Sequence, residues 1–413
     1  MSQSPAAAEA KPRFVGIDIV KIVAYFLVVS VHFFLYSGFY STPITAQFGH
    51  AEIYIRWICY CCVPLFMITT GYLMKNKTLS KGYYHGALRV LVLYLIISVI
   101  CVVFNHYYNH RAYTAWEFIR GIFMYTDAQY AWYVEYYFTL FLLIPFVNAA
   151  WNGMGSHKNK LIMLITVCLV TSVSQSLYIG FDHDTQIRLI PGYFSRCYPF
   201  AYYLIGAYVR DYPPKRTVSN KFYFLAVFVV SLTWLSTSTF QQSLQYSEKN
   251  FIFYSWHYND YGAWPVVLCS AMLFLLMFDI TCKNKGVRAV LKTLGNATFA
   301  AYLISYCFDQ KFYRDLVTRI PQLENHAEMP ERCAHWYETV LPTFFCALVC
   351  GLILQGLYDL CDKGIRALVH RVKAVSQAEA EAAGLVPAGD PPQKDAPAEE
   401  APAAAEETSE TQE

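Results

Sequence analysis

Long apolar runs constrain this chain more than any other feature, because a helix needs about 20 such residues to cross a bilayer. About ten runs approach or reach that length, at 14–37, 52–74, 84–104, 130–150, 161–180, 193–210, 221–240, 262–281, 295–312 and 339–361. In lipid every backbone polar group must be satisfied within the protein, so runs of this length read as helices. Composition agrees: 15% of residues are charged, against about 25% in soluble domains, and 56% are hydrophobic. The expected fold is all-α, a polytopic membrane protein of about ten spans. The ninth run is the weakest, because it carries Asp309, and the seventh ends in a Ser/Thr/Gln-rich stretch.

Lys and Arg gather in alternate loops, among them Lys75, Lys77, Lys81, Lys158, Lys160, Lys215, Arg216, Lys283, Lys285 and Arg288. Placing those loops in the cytoplasm puts both termini there as well, an N-in, C-in arrangement. Residues 1–13 are polar, show no cleavable signal pattern and are expected to be a cytoplasmic segment, with 14–374 expected as the membrane domain. From 375 to 413 the chain is mostly Ala, Glu, Pro and Gln. Such a segment has too little apolar surface to fold and is expected to be a disordered acidic cytoplasmic tail. A net charge of +2 gives no footprint for nucleic acid. Most of the thirteen cysteines fall inside apolar runs, where Cys behaves as a small hydrophobe, and no metal site is expected.

The first run, RFVGIDIVKIVAYFLVVSVH at 13–32, carries three ionisable side chains, Asp18, Lys21 and His32, among apolar or small neighbours. Charged groups at a helix centre cost about 2.5–3.5 kcal/mol each on insertion scales, and they mark functional paths. Lys21 and His32 are close to three whole turns apart, on one face and about 16 Å along the axis. Asp18 lies one turn before Lys21 on the same stripe. The competing reading has Lys21 snorkelling to the headgroups beside Asp18, with His32 idle at the far interface. Further basic residues sit inside spans at Arg56, Arg89 and Arg196. Arg56 and Arg196 approach from the outer side, where they could hold an anionic acceptor or pair with Glu52, Glu135 or Asp182. Pro64 and Gly71 interrupt the second span, and such breaks free backbone groups that line cavities. The outer loops at 105–129, 241–260 and 313–338 are aromatic, with Trp256, His257, His326, His335 and Trp336. Sugar sites and interfacial belts share that composition.

Four blocks, in order, resemble the membrane acyltransferase-3 family, whose members O-acetylate bacterial surface polysaccharides. The first is a basic residue, ten residues and a His in the first span, here Lys21 and His32, with Arg13 and Asp18 ahead of them. The second is VPLFMITTGYLM at 63–74, the third the basic helix start Ala87-Leu88-Arg89-Val90, and the fourth TFAAYLIS at 298–305. The fourth departs from the family pattern, with Ser305 where a His is usual. Trp132-Tyr133-Val134-Glu135 is similar to the family's aromatic start of the fourth helix.

The resemblance implies a multi-pass protein of the cell inner (plasma) membrane. It implies transfer of an acyl group from cytoplasmic acyl-CoA, acetyl-CoA above all, to a hydroxyl of a glycan or glycolipid acceptor. Acyl-CoA would be a co-substrate, with no permanently bound cofactor. Lys21 and Arg89 would hold donor phosphates, since a guanidinium offers two parallel hydrogen bonds. Asp18, Arg56, Arg196, Trp132 and Tyr302 are the remaining expected substrate contacts. An imidazole, with an ordinary pKa of about 6.5, suits the general base, and Glu135 is expected to orient that of His32. The chain has no Gly-x-Ser-x-Gly elbow for a serine acyl-enzyme. An alternative of another class is an exporter or flippase of a glycan or lipid-linked intermediate, which a polar helix face across the bilayer would also serve.

Overall fold

The computed structural model describes residues 15–41, 43–44, 49–173, 176–179, 185–186, 189–246, 251–255, 257–319 and 329–382. Two compact units divide the chain, 1–358 and 359–413. The first is built of helices: α1 (Gly16–Tyr36), α2 (Gly49–Tyr60), α3 (Cys62–Met74), α4 (Lys81–Tyr108), α5 (Ala115–Phe123), α6 (Trp132–Gly153), α7 (His157–Cys168), α8 (Tyr198–Asp211), α9 (Val218–Tyr246), α10 (Trp264–Met277), α11 (Lys285–Arg319) and α12 (Met329–Ala382), the last running on into the second unit. Extended pairing among the described residues is limited to Tyr178–Ile179 with Thr185–Gln186 and a bridge between Pro43 and Ile252.

Among the described residues, six helical stretches are long and apolar enough to cross a membrane: Gly16–Tyr36, Gly49–Met74, Gly82–Tyr108, Trp132–Gly153, Val218–Gln245 and His335–Ser376. Trp264–Met277 is apolar but shorter. The other expected runs lie on α7 with the π turn that continues it (Leu169–Val173), on α8 and on α11. The second run is indeed broken, but at Cys61, whose N–H bonds back to Ile58 O at 3.2 Å. Pro64 sits in the first turn of α3, where no intrahelical N–H is needed. Gly71 lies within unbroken α3 and serves packing. A Cβ there would collide with the backbone of Tyr203, and one at Gly206 with Ile68 O, so α3 and α8 cross in backbone contact.

Two stretches that look weak in the sequence are continuous helices. α11 runs unbroken past Asp309, and the polar end of α9 points inward. There Thr239 accepts from the Trp57 indole at 3.1 Å, and Ser243 bonds Thr239 O at 2.7 Å and receives Tyr254 N at 2.8 Å. The expected outer loops shrink accordingly. The first holds α5, the second is helical to Tyr246, and the third begins with α11, to Arg319, and ends with α12. Trp256 and His326 lie outside the described residues. At the C-terminal end α12 continues to Ala382, so 375–382 is helical where a disordered tail was expected. Within the second unit Asp362 and Arg366 pair at 2.9 Å, and residues beyond 382 lie outside the description.

α1 lies at the centre of the first unit, against α2, α3, α10 and α11. Its first turn is capped from outside: Val15 N and Gly16 N both bond Ile280 O, at 2.9 and 3.0 Å. Tyrosines tie its middle to neighbours, Tyr25 donating to Phe344 O at 3.1 Å and Tyr313 to Val29 O at 2.9 Å. Two ion clusters close one end of the bundle. Lys221 caps the last carbonyls of α10, Leu275 O and Leu276 O, and pairs with Asp279 at 2.6 Å. Asp211, at the end of α8, receives Lys75, Lys160 at 2.8 Å and the Trp151 indole at 2.9 Å.

Burial alone would push the Asp211 carboxyl up, but these three donors outweigh it and hold the group below the ordinary carboxylate range. A depressed carboxyl stabilises the fold above its ordinary pKa and loses that contribution as pH falls through the folded value. Asp211→Asn should therefore cost about 1–2 kcal/mol at neutral pH, between an exposed and a fully buried pair, because two partly buried ammonium groups lose their partner. Thermal unfolding in detergent from pH 7 to pH 3 tests this. The gap between Asp211→Asn and the parent chain should narrow toward the acid end, and a constant gap would contradict the assignment.

Candidate functional site

α1 places His32 near its last turns, half-buried, with its Nδ1 2.8 Å from Asp309 Oδ2. Asp309 is fully buried on α11. The same Oδ2 accepts the Tyr130 hydroxyl at 2.6 Å. With the carboxylate ionised and acceptor-only, Nδ1 must carry the proton, and Nε2 is left as an acceptor. Tyr130 also stacks on the His32 ring, 3.9 Å between centroids, and so fixes its plane. The Tyr130 hydroxyl lies 3.3 Å from that of Tyr36, which receives Gln310 Nε2 at 3.3 Å. Three elements thus meet at His32: its own helix, α11, and the segment before α6.

The sequence points to Glu135 as the partner of His32, and the structure gives that place to Asp309. Glu135 is exposed and lines a separate cavity of about 250 Å3 with Arg196. It lies in the first turn of α6. Asp309 is an ionisable residue in an apolar run, the signal that marks Lys21 and His32. It falls one turn after Ser305, the position where the family's His is expected. Ser305 itself is buried and bonds back to Tyr302 O at 2.8 Å, within its own helix.

Toward the start of α1 a cavity of about 290 Å3 collects Lys21, Arg89 and Tyr302, three of the expected substrate contacts. Thr69, Asn296 and Gln355 add polar groups to its wall, among apolar residues from α3, α4 and α6. Thr69 Oγ1 is buried there without a hydrogen-bond partner among the described residues. Lys21 Nζ is 3.8 Å from Asp18 Oδ1, and Asp18 packs against Gly295 of α11. Arg13 lies outside the described residues. Two tyrosines link the cavity wall to His32. Tyr302, on that wall, donates to Tyr130 O, and Tyr130 stacks on His32.

Arg56, Trp132 and Arg196 stand apart from this line. Arg56 is 3% exposed, with its guanidinium carbon 4.3 Å above the Trp57 ring and 4.2 Å above that of Tyr60. It donates to Asn259 Oδ1 at 2.6 Å and to Tyr40 at 3.3 Å, and its Nη1 has no hydrogen-bond partner among the described residues. Aromatic faces thus do much of the work that a carboxylate was expected to do. Trp132 stacks on Tyr261, which stacks on Tyr60 at 4.2 Å, so Trp132 and Arg56 are ends of one aromatic column. Arg196 acts on Asp260, whose carboxyl is pushed up by burial and pulled back by Gly262 N–H and Arg196. Tyr130, Tyr36, Gln310 and Asn259 had no signal in a single sequence, since aromatic and amide residues abound in such chains.

A family model described as an acyltransferase domain matches residues 14–357. Neither the curated proteins nor the solved structures returned a match.

The two carboxyls make opposite predictions. Asp309→Asn replaces a charge-assisted acceptor of two donors, half-buried His32 and buried Tyr130, and should cost about 1.5–3 kcal/mol of stability. Glu135→Gln, at an exposed position, should leave stability within about 0.5 kcal/mol. Thermal unfolding of the two variants at one pH checks the contrast, and equal losses would remove Asp309 from its anchoring role.

Proposed function

Because the chain belongs to the acyltransferase-3 family, we propose that it acts as a membrane O-acyltransferase, moving a short acyl group, acetyl above all, from acyl-CoA to a carbohydrate hydroxyl. The observation that carries this reading is the His32–Asp309 pair at 2.8 Å, joined through Tyr130 and Tyr302 to a cavity holding Lys21 and Arg89. A thioester donor has anionic phosphates at one end and its reactive carbonyl at the other. The distance from Lys21 to His32, about 16 Å along the helix, calls for such an extended molecule.

In this reading Lys21 and Arg89 hold the phosphates, and Thr69 offers its free hydroxyl to the arm. The acceptor hydroxyl reaches Nε2 of His32, which takes its proton as the oxygen attacks the thioester carbonyl. Asp309 holds the imidazole in the tautomer with Nδ1 protonated and stabilises the imidazolium that forms. When the tetrahedral intermediate collapses, the C–S bond breaks and His32 returns its proton to the departing thiolate. The products are an ester and free coenzyme A, and no other reactant is needed. The enzyme works from the inner (plasma) membrane with both termini in the cytoplasm. Lys21 and Arg89 then face the side where acyl-CoA is made, and His32 lies toward the side where surface glycans are handled.

His32→Gln should lose acceptor acylation by about 10²–10⁴-fold at normal protein yield, since an amide keeps a hydrogen bond but cannot take the proton. Thioester-dependent transfer on protein-normalised membranes measures it, and near-normal transfer would refute the base. Arg89→Ala should raise KM for acyl-CoA, whereas Lys77→Ala, at an exposed loop position, should leave it unchanged. An unaltered donor KM in Arg89→Ala would take that residue out of the site. For orientation, cysteines placed at Gly155 and Asn284 should react only with reagents that reach the cytoplasm, and one at Asn109 from the opposite side. Reversed labelling at Asn109 would overturn the topology.

A further inference from the structure

α5 is a short helix with an uncovered apolar face. Its start is self-sufficient: Thr114 Oγ1 accepts Glu117 N at 3.2 Å, and Glu117 returns a carboxylate oxygen to Thr114 N at 2.8 Å. Gly121 is buried and Phe118 and Ile122 are half-buried, on the side toward the protein. The opposite stripe, Trp116, Ile119 and Phe123, is 70%, 47% and 78% exposed. Those positions fall at i, i+3 and i+7, one face of a helix. Glu117 and Arg120, both exposed, flank it.

The helix follows directly on α4, whose outward residues Leu95, Ile96, Val99 and Val103 are also exposed, as lipid-facing residues of a span must be. Tyr107, on the last turn of α4, continues that surface. The turn between the two helices is pinned by Asn105, which binds Asn109, Tyr113 and, across on α11, Tyr306. α5 therefore starts beside the end of α4 and runs back along it, so that its last turn meets Tyr94 at mid-span. An exposed aromatic and aliphatic face alongside a span is a surface for acyl chains.

The other end of α5 leads into the site. Tyr94 of α4 donates to Ile122 O at 2.7 Å, and Thr126 N bonds Gly121 O at 2.9 Å. The chain reverses through Tyr125, at φ 54°. Asp127 then packs on Gly121, so closely that a Cβ at 121 would displace it. Three residues later Tyr130 reaches Asp309 and His32.

We propose that α5 lies against the acyl chains beside α4, with Trp116, Ile119 and Phe123 in lipid, and that this seat positions Tyr130 at the His32–Asp309 pair. Tyr130 is a positioning residue here, and the bilayer is part of what positions it. The site is then fully assembled only when α5 is in lipid.

Two measurements on the full chain in phospholipid nanodiscs test the two halves. The fluorescence difference between the parent chain and Trp116→Phe isolates Trp116. Phosphatidylcholine with brominated acyl chains should quench that difference strongly, and aqueous iodide weakly; the reverse order would put α5 in water and overturn the seat. Hydrogen exchange of residues 124–131, followed by mass spectrometry, should rise several-fold in Phe123→Ser, with α1 and α11 unchanged. Unchanged exchange at 124–131 would overturn the coupling, and so would a rise spread over all three. Neither measurement uses acyl transfer, so its failure would be distinguishable from failure of the proposed activity.

Discussion

A carboxylate buried in a helix bundle has to be answered, and the answer to Asp309 organises this molecule. Leaving an ionised group unpaired in such a place costs several kcal/mol even after relaxation. The chain meets that cost with two donors on one oxygen, His32 Nδ1 and the Tyr130 hydroxyl. Those donors come from α1 and from the segment ahead of α6, so satisfying one side chain fixes three parts of the chain against each other. Gln310, next to Asp309 on α11, reaches Tyr36 of α1 and extends the same seam. The second oxygen, Oδ1, has no hydrogen-bond partner among the described residues, which leaves His32 and Tyr130 as its anchors.

Around this seam the packing is of a kind suited to lipid. Without a hydrophobic effect to drive helices together, close contact and internal hydrogen bonds must do it. Gly71 and Gly206 bring α3 and α8 into backbone contact, and buried tyrosines supply cross-helix bonds to carbonyls, as Tyr25, Tyr302 and Tyr313 do. Tyr is useful here because its ring packs as an apolar body and its hydroxyl finds a partner at a distance. The same property lets Tyr302 and Tyr130 join the cavity at Lys21 to the imidazole at His32.

Much of this was legible in the sequence, for reasons of period and cost. Lys21 and His32 stand out because ionisable groups in an apolar run are expensive, and helical spacing alone puts them on one face. Arg89 and Tyr302 come together with Lys21 in one cavity, although they lie far apart in the chain. Asp309 carries the same signal as His32, but in a hydropathy profile it counts only as a weakness of its span. Glu135 looked like the partner because it stands near an aromatic helix start, and only the fold shows it facing Arg196's cavity. α5 was hidden by its length. At nine residues it lies below any spanning threshold, and its face is recognisable only when the exposure of Trp116 and Phe123 is known.

The arrangement also explains why a chain would carry cations and an imidazole on opposite ends of one helix. α1, α4 and α11 run in the same direction: Lys21 and Arg89 share a cavity near the starts of α1 and α4, Asp18 meets Gly295, and His32 meets Asp309. Under the proposed reaction, charge recognition and proton transfer are about 16 Å apart, roughly half the depth of the hydrocarbon. A cavity of about 290 Å3 is too small to enclose a whole nucleotide donor, so under the proposed reaction only its arm enters the bundle. The bulky, charged end stays at the water interface, where its phosphates need no full desolvation, and the thioester alone is carried to the base. Such a division keeps the expensive charges where the solvent is and spends burial on the one pair, His32 and Asp309, whose chemistry benefits from exclusion of water.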